Sequence, residues 1–286
     1  MTIDIEAIFD DGTNTITYIV SEPDSKAAAI IDSVLDFDPA SGGTSTASAE
    51  KVVRFVEERG LNPRYILETH VHADHLTASQ FLKQTFGAKT GISEKICLVQ
   101  ETFGGAFNAG AEFKCDGSQF DMLLSEGQKL PLGAEEITVL LTPGHTPACA
   151  TFVVGGAAFT GDTIFMPYMG TSRCDFPAGD ARALFASIRK ILALPPQTRL
   201  FVGHDYGTGG REIAWETTVA EELKMNIHVK EGTSEDAFVE MRQTRDAELA
   251  VPKLLLSAVQ VNMRAGAMPP AEDNGVSYLK LPINQF

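Results

Sequence analysis

Basic side chains are scarce in this sequence: 23 Lys and Arg stand against 38 Asp and Glu, a formal net charge of −15 over 286 residues. With no basic tract to offset that balance, neither a nucleic acid nor a membrane is expected as a partner. Long apolar runs are missing too. None approaches the roughly 20 residues that span a bilayer, and Asp4, Glu6, Asp10 and Asp11 interrupt the N-terminal stretch. No span or secretory leader is therefore expected, and the expected location is cytoplasmic. Cysteine is limited to residues 97, 115, 149 and 174, without a Cys-x-x-Cys pair. These are expected as reduced, small apolar side chains, with Cys149 and Cys174 near enough to motifs to line a pocket. Neither an internal repeat nor a low-complexity tract occurs. Apolar content, by contrast, is ordinary at 44%, beside 21% charge, which suffices for one large α/β domain or two small ones.

Histidine is also rare, six in all, and three fall in His70-Val71-His72-Ala73-Asp74-His75. That cluster follows a predicted strand, Arg64 to Thr69, and precedes a helical pattern from Leu76 to Phe86 that Gly87 stops. A strand end followed by a helix start brings the intervening side chains toward one point, where neutral imidazole and carboxylate serve as metal ligands. The pattern recurs. His145 follows Ile137 to Leu141 in Thr142-Pro143-Gly144-His145-Thr146-Pro147, Asp162 follows Ala157 to Phe159 in Thr160-Gly161-Asp162, and His204 follows Leu200 to Val202 in Gly203-His204-Asp205-Tyr206. Four such strand ends argue against a polar loop that merely contains histidines.

The order His-x-His-x-Asp-His, Gly-His-Thr-Pro, Thr-Gly-Asp, His-Asp-Tyr resembles the ligand series of the metallo-β-lactamase superfamily over residues of about 64 to 206. The resemblance implies an α/β (α+β) fold, the αββα metallo-β-lactamase sandwich, with a core over 1–206 and a helical extension over 207–286 packed beside the site. The residues themselves fit that order. Strands are predicted at Ile3 to Phe9, Thr15 to Ser21 and Ala27 to Ile31, with a turn at Asp10-Asp11-Gly12, and a helix from Thr46 that stops at Gly60. Short strands return at Lys129 to Leu132, Glu136 to Leu141, Ala150 to Val154 and Ala157 to Thr160. Asp180 is the expected cap of a helix over Ala181 to Leu192, before a strand at Arg199 to Val202. Helices are expected at Glu212 to Met225, Ser234 to Glu248 and Lys253 to Arg264. Phe103 to Gly110 is glycine-rich without a phosphate-loop ending, and is expected as a mobile segment near the pocket.

Spacing leaves the metal chemistry open. Superfamily hydrolases hold two zinc ions, with Asp162 implied as the bridge and a shared hydroxide as nucleophile. An oxygenase instead needs two His and one carboxylate on one face of Fe(II), which His70, His145 and Asp162 could supply. The neighbourhoods of the ligands resemble one family more closely. Thr69 to Ala78, Gly144 to Val153, Gly170-Thr171-Ser172-Arg173-Cys174-Asp175-Phe176, Thr218 to Glu222 and Val261 to Gly266 resemble the persulfide dioxygenases, the sulfur dioxygenases related to the ethylmalonic encephalopathy protein, in their bacterial type.

That resemblance implies one Fe(II) per chain on His70, His145 and Asp162, with His72, Asp74, His75 and His204 orienting the ligands from around it. It implies Arg173 and Tyr206 as catalytic and substrate-binding residues, with His228 and Arg264 as further substrate contacts. The reaction implied is oxidation of glutathione persulfide by O2 and water to sulfite and glutathione, in a homodimer or higher homo-oligomer. Plainer roles stand beside these: Arg173 in a salt bridge with Asp175 or Asp180, His228 at the surface beside a helix, and Tyr206 as an aromatic that pins its loop. Where the mitochondrial type has Asn-Pro-Arg, this chain has Asn226-Ile227-His228. The alternatives are a dinuclear zinc thioester hydrolase of the glyoxalase II type and a non-enzymatic metal or sulfur-carrier scaffold.

Overall fold

Apolar residues two apart in the strands and three to four apart in the helices sort the chain into four layers. The structure is a computed structural model that describes residues 3–285. In chain order it forms β1 (Asp4–Asp10), β2 (Thr15–Ser21), β3 (Ala27–Ile31), β4 (Val34–Asp38), β5 (Gly43–Ser45), α1 (Ala47–Arg59), β6 (Asn62–Leu67), β7 (Leu76–Thr77), α2 (Ser79–Phe86), β8 (Lys89–Ser93) and α3 (Ile96–Ala106). Then follow β9 (Met122–Leu124), β10 (Lys129–Leu132), β11 (Glu135–Leu141), β12 (Ala150–Val154), β13 (Ala157–Gly161), α4 (Ala181–Leu192), β14 (Arg199–Val202), β15 (Glu216–Thr218), α5 (Val219–Met225), α6 (Glu235–Asp246) and α7 (Leu255–Asn262).

Two six-stranded sheets result, ordered β1-β2-β3-β6-β8-β9 and β10-β11-β12-β13-β14-β15. Alternation sends Ile16, Tyr18 and Val20 of β2 into the seam between the sheets, where they meet Phe152 of β12, Phe159 of β13 and Phe201 of β14. Each fully buried Phe there contributes roughly 1.5–3 kcal/mol. The opposite face of the first sheet, through Ile19, Ile30 and Ile66, packs on Val52 and Val56 of α1 and Leu82 of α2. On the second sheet, Ala158 and Leu200 pack on Leu184 and Ile188 of α4, joined by Val219 of α5 and Phe238 of α6. Helix, sheet, sheet, helix is the αββα sandwich. Asp180 caps α4, its carboxylate accepting from the Ala183 N–H at 2.7 Å. Among the described residues no helix is long and apolar enough to cross a membrane.

Several expectations are corrected. The segment 103–110 is not a mobile loop: its first half completes α3, and Phe103 and Phe107, four apart, are buried against Val259 and Met263 at α7. The helix expected from Glu212 starts only at Val219, since β-branched Thr217 and Thr218 pair with β14 as an edge strand and the Thr218 hydroxyl then caps α5. Leu76 and Thr77 pair with β4 before α2 begins. The strands β4, β5, β8 and β9, short or interrupted by polar residues, are additions to the expected set.

Candidate metal centre

The three crossovers β3–α1–β6, β6–α2–β8 and β13–α4–β14 are parallel pairings, so β3, β6, β13 and β14 deliver their carboxyl ends to one edge of the sandwich. β11 joins them, being antiparallel to β12, which is antiparallel to β13. Asp32 follows β3, His70 to His75 follow β6, His145 follows β11, Asp162 follows β13 and His204 follows β14. Ligands outside the carboxyl ends of strands are the usual position for a site in such folds.

Five imidazoles converge there, each with its outer nitrogen engaged. His145 donates from Nδ1 to the Arg173 carbonyl at 2.7 Å, and His75 from Nδ1 to the Leu76 carbonyl at 3.1 Å. His204 donates from Nδ1 to the Asn14 carbonyl at 3.1 Å. A carbonyl only accepts, so these Nδ1 atoms carry the proton. The Thr69 hydroxyl donates to Asp32 at 2.7 Å, so it accepts from His70 Nδ1 at 3.0 Å. His72 points Nε2 outward to Asp32 at 3.1 Å, with Glu68 at 3.3 Å. Each of the five thus turns its other nitrogen inward, the arrangement by which outer hydrogen bonds orient metal-binding histidines.

Electrostatics divides the five. Burial, then the neighbouring imidazoles, holds His70 well below the usual imidazole range and brings His75 to about 4. Burial opposes ionisation of Asp74, but His204, His75 and His72 outweigh it and bring that carboxyl to about 2. Burial likewise opposes charge on His72 and His204, but Asp32 with Glu68, and Asp162 with Asp74, raise them.

His70, His145 and Asp162 bring one ligand atom each within 4.8 Å of the others, and so do His72, Asp74 and His75. Asp162 Oδ2 lies 3.9 Å from His70 Nε2 and 3.7 Å from His145 Nε2, while Oδ1 lies 3.3 Å from His204 Nε2. His72 Nδ1, His75 Nε2 and Asp162 Oδ1 are buried and lack a hydrogen bond. Unpaired buried lone pairs cost about 1–3 kcal/mol each, and cations held by these two groups would satisfy them. An imidazole and carboxylate donor set of this kind suits Fe(II) or Zn(II). Gly203 leaves room for Asp162, since a Cβ there would sit 2.6 Å from Oδ1, and Gly161 leaves room for Thr69, whose hydroxyl would lie 2.3 Å from a Cβ.

The profile of the metallo-β-lactamase superfamily matches residues 16–204, which contain every one of these ligand candidates. The chain belongs to the metallo-β-lactamase superfamily. Within it, the chain is 53% identical to a probable metallo-hydrolase of Burkholderia pseudomallei, over 98% of this chain and 99% of that protein. It is 46% identical to glyoxylase B2 of Dictyostelium discoideum, covering 93% and 92%. To the mitochondrial persulfide dioxygenase ETHE1 of Homo sapiens it is 29% identical, covering 93% and 90%. The crystal structure of ETHE1 from Myxococcus xanthus superposes with a TM-score of 0.73 at 28% identity, covering 92% of this chain and 100% of that one.

A cavity of about 400 Å³ opens from this superfamily centre, with His145, Asp162 and His204 on its floor and Tyr206, Phe176 and Met169 among its walls. Tyr206 is half exposed there, its ring stacked on His204 at 6.0 Å. Arg173 lines the cavity too, but its guanidinium forks onto both Asp175 oxygens at 2.6 Å and donates to the Ala250 carbonyl at 2.7 Å. Two expected substrate contacts lie elsewhere. His228 is neither a surface residue nor a cavity wall: it is buried beneath Gly170, accepts from the Thr171 N–H at 3.0 Å, and is held near 4 by burial and then Arg242. Arg264 lies over the Phe113 ring in a separate crevice beside Ala109. Cys149 and Cys174 do not line the cavity; burial pushes both thiols up to about 12.

The sequence reading passed over the residues that hold the centre in place. Asp32 carries the same signal as the others, a carboxylate at a strand end, and its partners confirm the rule. Glu68 accepts from Thr77 and Ser79 at 2.5 Å beside His72. Asn262 of α7 donates to the His72 and His75 carbonyls at 2.8 Å and accepts from the Thr77 N–H at 2.8 Å. On α6, Arg242 and Asp246 are both buried and paired at 2.8 Å. Asp246 accepts from the Cys174 N–H at 2.9 Å and Arg242 donates to the Thr171 carbonyl at 3.1 Å, so the loop carrying the Arg173 carbonyl, and through it His145, is fixed from the C-terminal helices. No spacing rule links these partners, which stand some 70 residues apart.

Proposed function

We propose that this chain is a persulfide dioxygenase that oxidises glutathione persulfide with O2 and water to sulfite and glutathione at one Fe(II) held by His70, His145 and Asp162. The observation that carries the reading is the clustering of His70, His145 and Asp162, the last two on the floor of an open cavity, a donor set that would leave open positions on a bound Fe(II). Bound Fe(II) supplies those positions and the redox chemistry. The likeness to the human persulfide dioxygenase over most of both chains supports the same reading. So does His204, whose Nε2 is already set between Asp74 at 3.4 Å and Asp162 at 3.3 Å, on the side where a second metal would sit.

The balance is that one persulfide anion, one O2 and one water give glutathione, sulfite and one proton. The two sulfurs together lose four electrons, and O2 gains four. The chain's own part is positioning. The Arg173 carbonyl and Thr69 hydroxyl aim the two imidazoles, Gly203 leaves space for the carboxylate, and Phe176 and Met169 give the cavity apolar walls. Tyr206 is the hydroxyl we assign to substrate or dioxygen in the cavity, since it lines it and has no hydrogen-bond partner among the described residues.

A second reading, a dinuclear zinc thioester hydrolase of the glyoxalase II type, is favoured by the unpaired His72 Nδ1 and His75 Nε2 and by the likeness to glyoxylase B2. Metal content and oxygen uptake decide between them. One iron per chain with persulfide-dependent O2 consumption supports the dioxygenase. Two zinc ions per chain, lactoylglutathione hydrolysis and no O2 consumption would remove it.

A further inference from the structure

Three guanidinium groups line the cavity above the metal centre, from Arg173, Arg242 and Arg245. Two are committed. Arg173 is forked onto Asp175 and bonded to the Ala250 carbonyl, and Arg242 is paired with buried Asp246 and bonded to the Thr171 carbonyl. Arg245 has no hydrogen-bond or ion-pair partner among the described residues and is exposed to the cavity. It sits three residues after Arg242 on α6, so both lie on one helix face. The buried Arg242–Asp246 pair anchors that face, which fixes where Arg245 is presented.

A neighbouring cavity of about 770 Å³ shares Asp74, Tyr206 and Pro252 with the first, and its far wall carries Asp10, Asp11 and Asp36 with Lys51 and Lys253. Of the two openings toward the centre, one is thus rich in carboxylates and the other in guanidinium. In a chain of net charge −15, an anion is repelled by most of the surface, and Arg245 offers it a guanidinium that no carboxylate of the chain occupies.

We propose that Arg245 is the recognition residue for a carboxylate of the substrate's thiol carrier, which enters along the arginine-lined wall with its sulfur toward the metal floor. The ligand class is a thiol or persulfide bearing a free carboxylate. Arg245 has the donors for a bidentate pair with it, whereas the fork of Arg173 is occupied. The assignment rests on the persulfide reading for the identity of the reacting group, but not for the anion contact itself.

The test uses metal-loaded protein and two thiols, glutathione, which carries carboxylates, and cysteamine, which has none, with binding followed by titration calorimetry. Arg245→Ala should weaken glutathione binding at least about 10-fold and leave cysteamine binding as in the wild type, and Arg245→Lys should recover part of the loss. In turnover, Arg245→Ala should raise KM for glutathione persulfide by more than it lowers kcat. Glutathione binding and KM both unchanged in Arg245→Ala, or equal losses for both thiols, would overturn the assignment. If the wild type consumes no O2 with persulfide while Arg245→Ala still weakens glutathione selectively, the dioxygenase reading falls and the anion site stands.

Discussion

The floor of the cavity is made of strand ends and its wall of helices from the last third of the chain, and different physics holds each. On the floor, every imidazole is aimed by a hydrogen bond to a carbonyl, hydroxyl or carboxylate of the adjoining strand ends and loops, as in His75 to the Leu76 carbonyl. In the wall, the buried Arg242–Asp246 pair and the Asn226 amide, which donates to the Gly170 carbonyl at 3.1 Å, pull a loop onto helices distant in sequence. A sheet edge suits a metal because its backbone is already fixed. The wall is supplied by helices packed from outside that edge. The two meet at His145 with the Arg173 carbonyl and at Asn262 with the His72 and His75 carbonyls.

The contrast breaks most sharply at the ligands. His145→Ala or Asp162→Ala should leave almost no metal after dialysis, as read by elemental analysis, whereas His72→Ala should weaken iron by roughly 10- to 100-fold, the range for outer groups around a metal. Complete loss in His72→Ala would move His72 into the ligand set and favour the hydrolase. In the wall, Asp246→Ala strands the buried Arg242 guanidinium, and urea unfolding should report about 3–5 kcal/mol of lost stability. The double change Arg242→Met with Asp246→Leu should recover most of it, and a double variant as unstable as the single one would contradict this account. Where wall and floor meet, Asn262→Ala should cost about 1–3 kcal/mol and also lower metal affinity, because three hydrogen bonds to the metal loop go together. Unchanged metal affinity would show that the floor holds its shape without α7.

The smallest effect is one of pH. Glu222 of α5 is fully buried next to Asn226, and burial raises its carboxyl to about 8. Its folded value lies above its unfolded one, so the folded chain keeps a proton that the unfolded chain releases between about pH 4.5 and 8. That contribution is whole below pH 4.5 and lost as pH rises through 8. Glu222→Gln should therefore flatten this part of the stability curve, with a gain over the wild type in Tm at pH 9 that shrinks toward pH 5. Parallel curves would place the Glu222 proton elsewhere.

Local pattern reached the floor and stopped at the wall. His70, His145, Asp162 and His204 each sit just past an apolar run, and a strand that ends at a sheet edge fixes its next few side chains whatever the rest of the chain does. The glycine content of 103–110 misled because it reports backbone freedom, while the burial of Phe103 and Phe107 against α7 decided the conformation. Thr217 and Thr218 became an edge strand only because β14 offered an open side.

By itself, then, the sequence determined the central strands and flanking helices of the two sheets, and the set of imidazoles and carboxylates at one edge, because both follow from periodicity and from residues adjacent in the chain. Tertiary structure alone decided which nitrogen of His72, His145 and His204 faces inward, since the acceptors at Asp32, Arg173 and Asn14 come from other strands and loops. It also decided which arginine is free. Arg173 and Arg245 have the same side chain, but Arg173 has Asp175 two residues away and the packing adds the Ala250 carbonyl, while nothing is brought onto Arg245 among the described residues, which makes one a strut and the other a binding group.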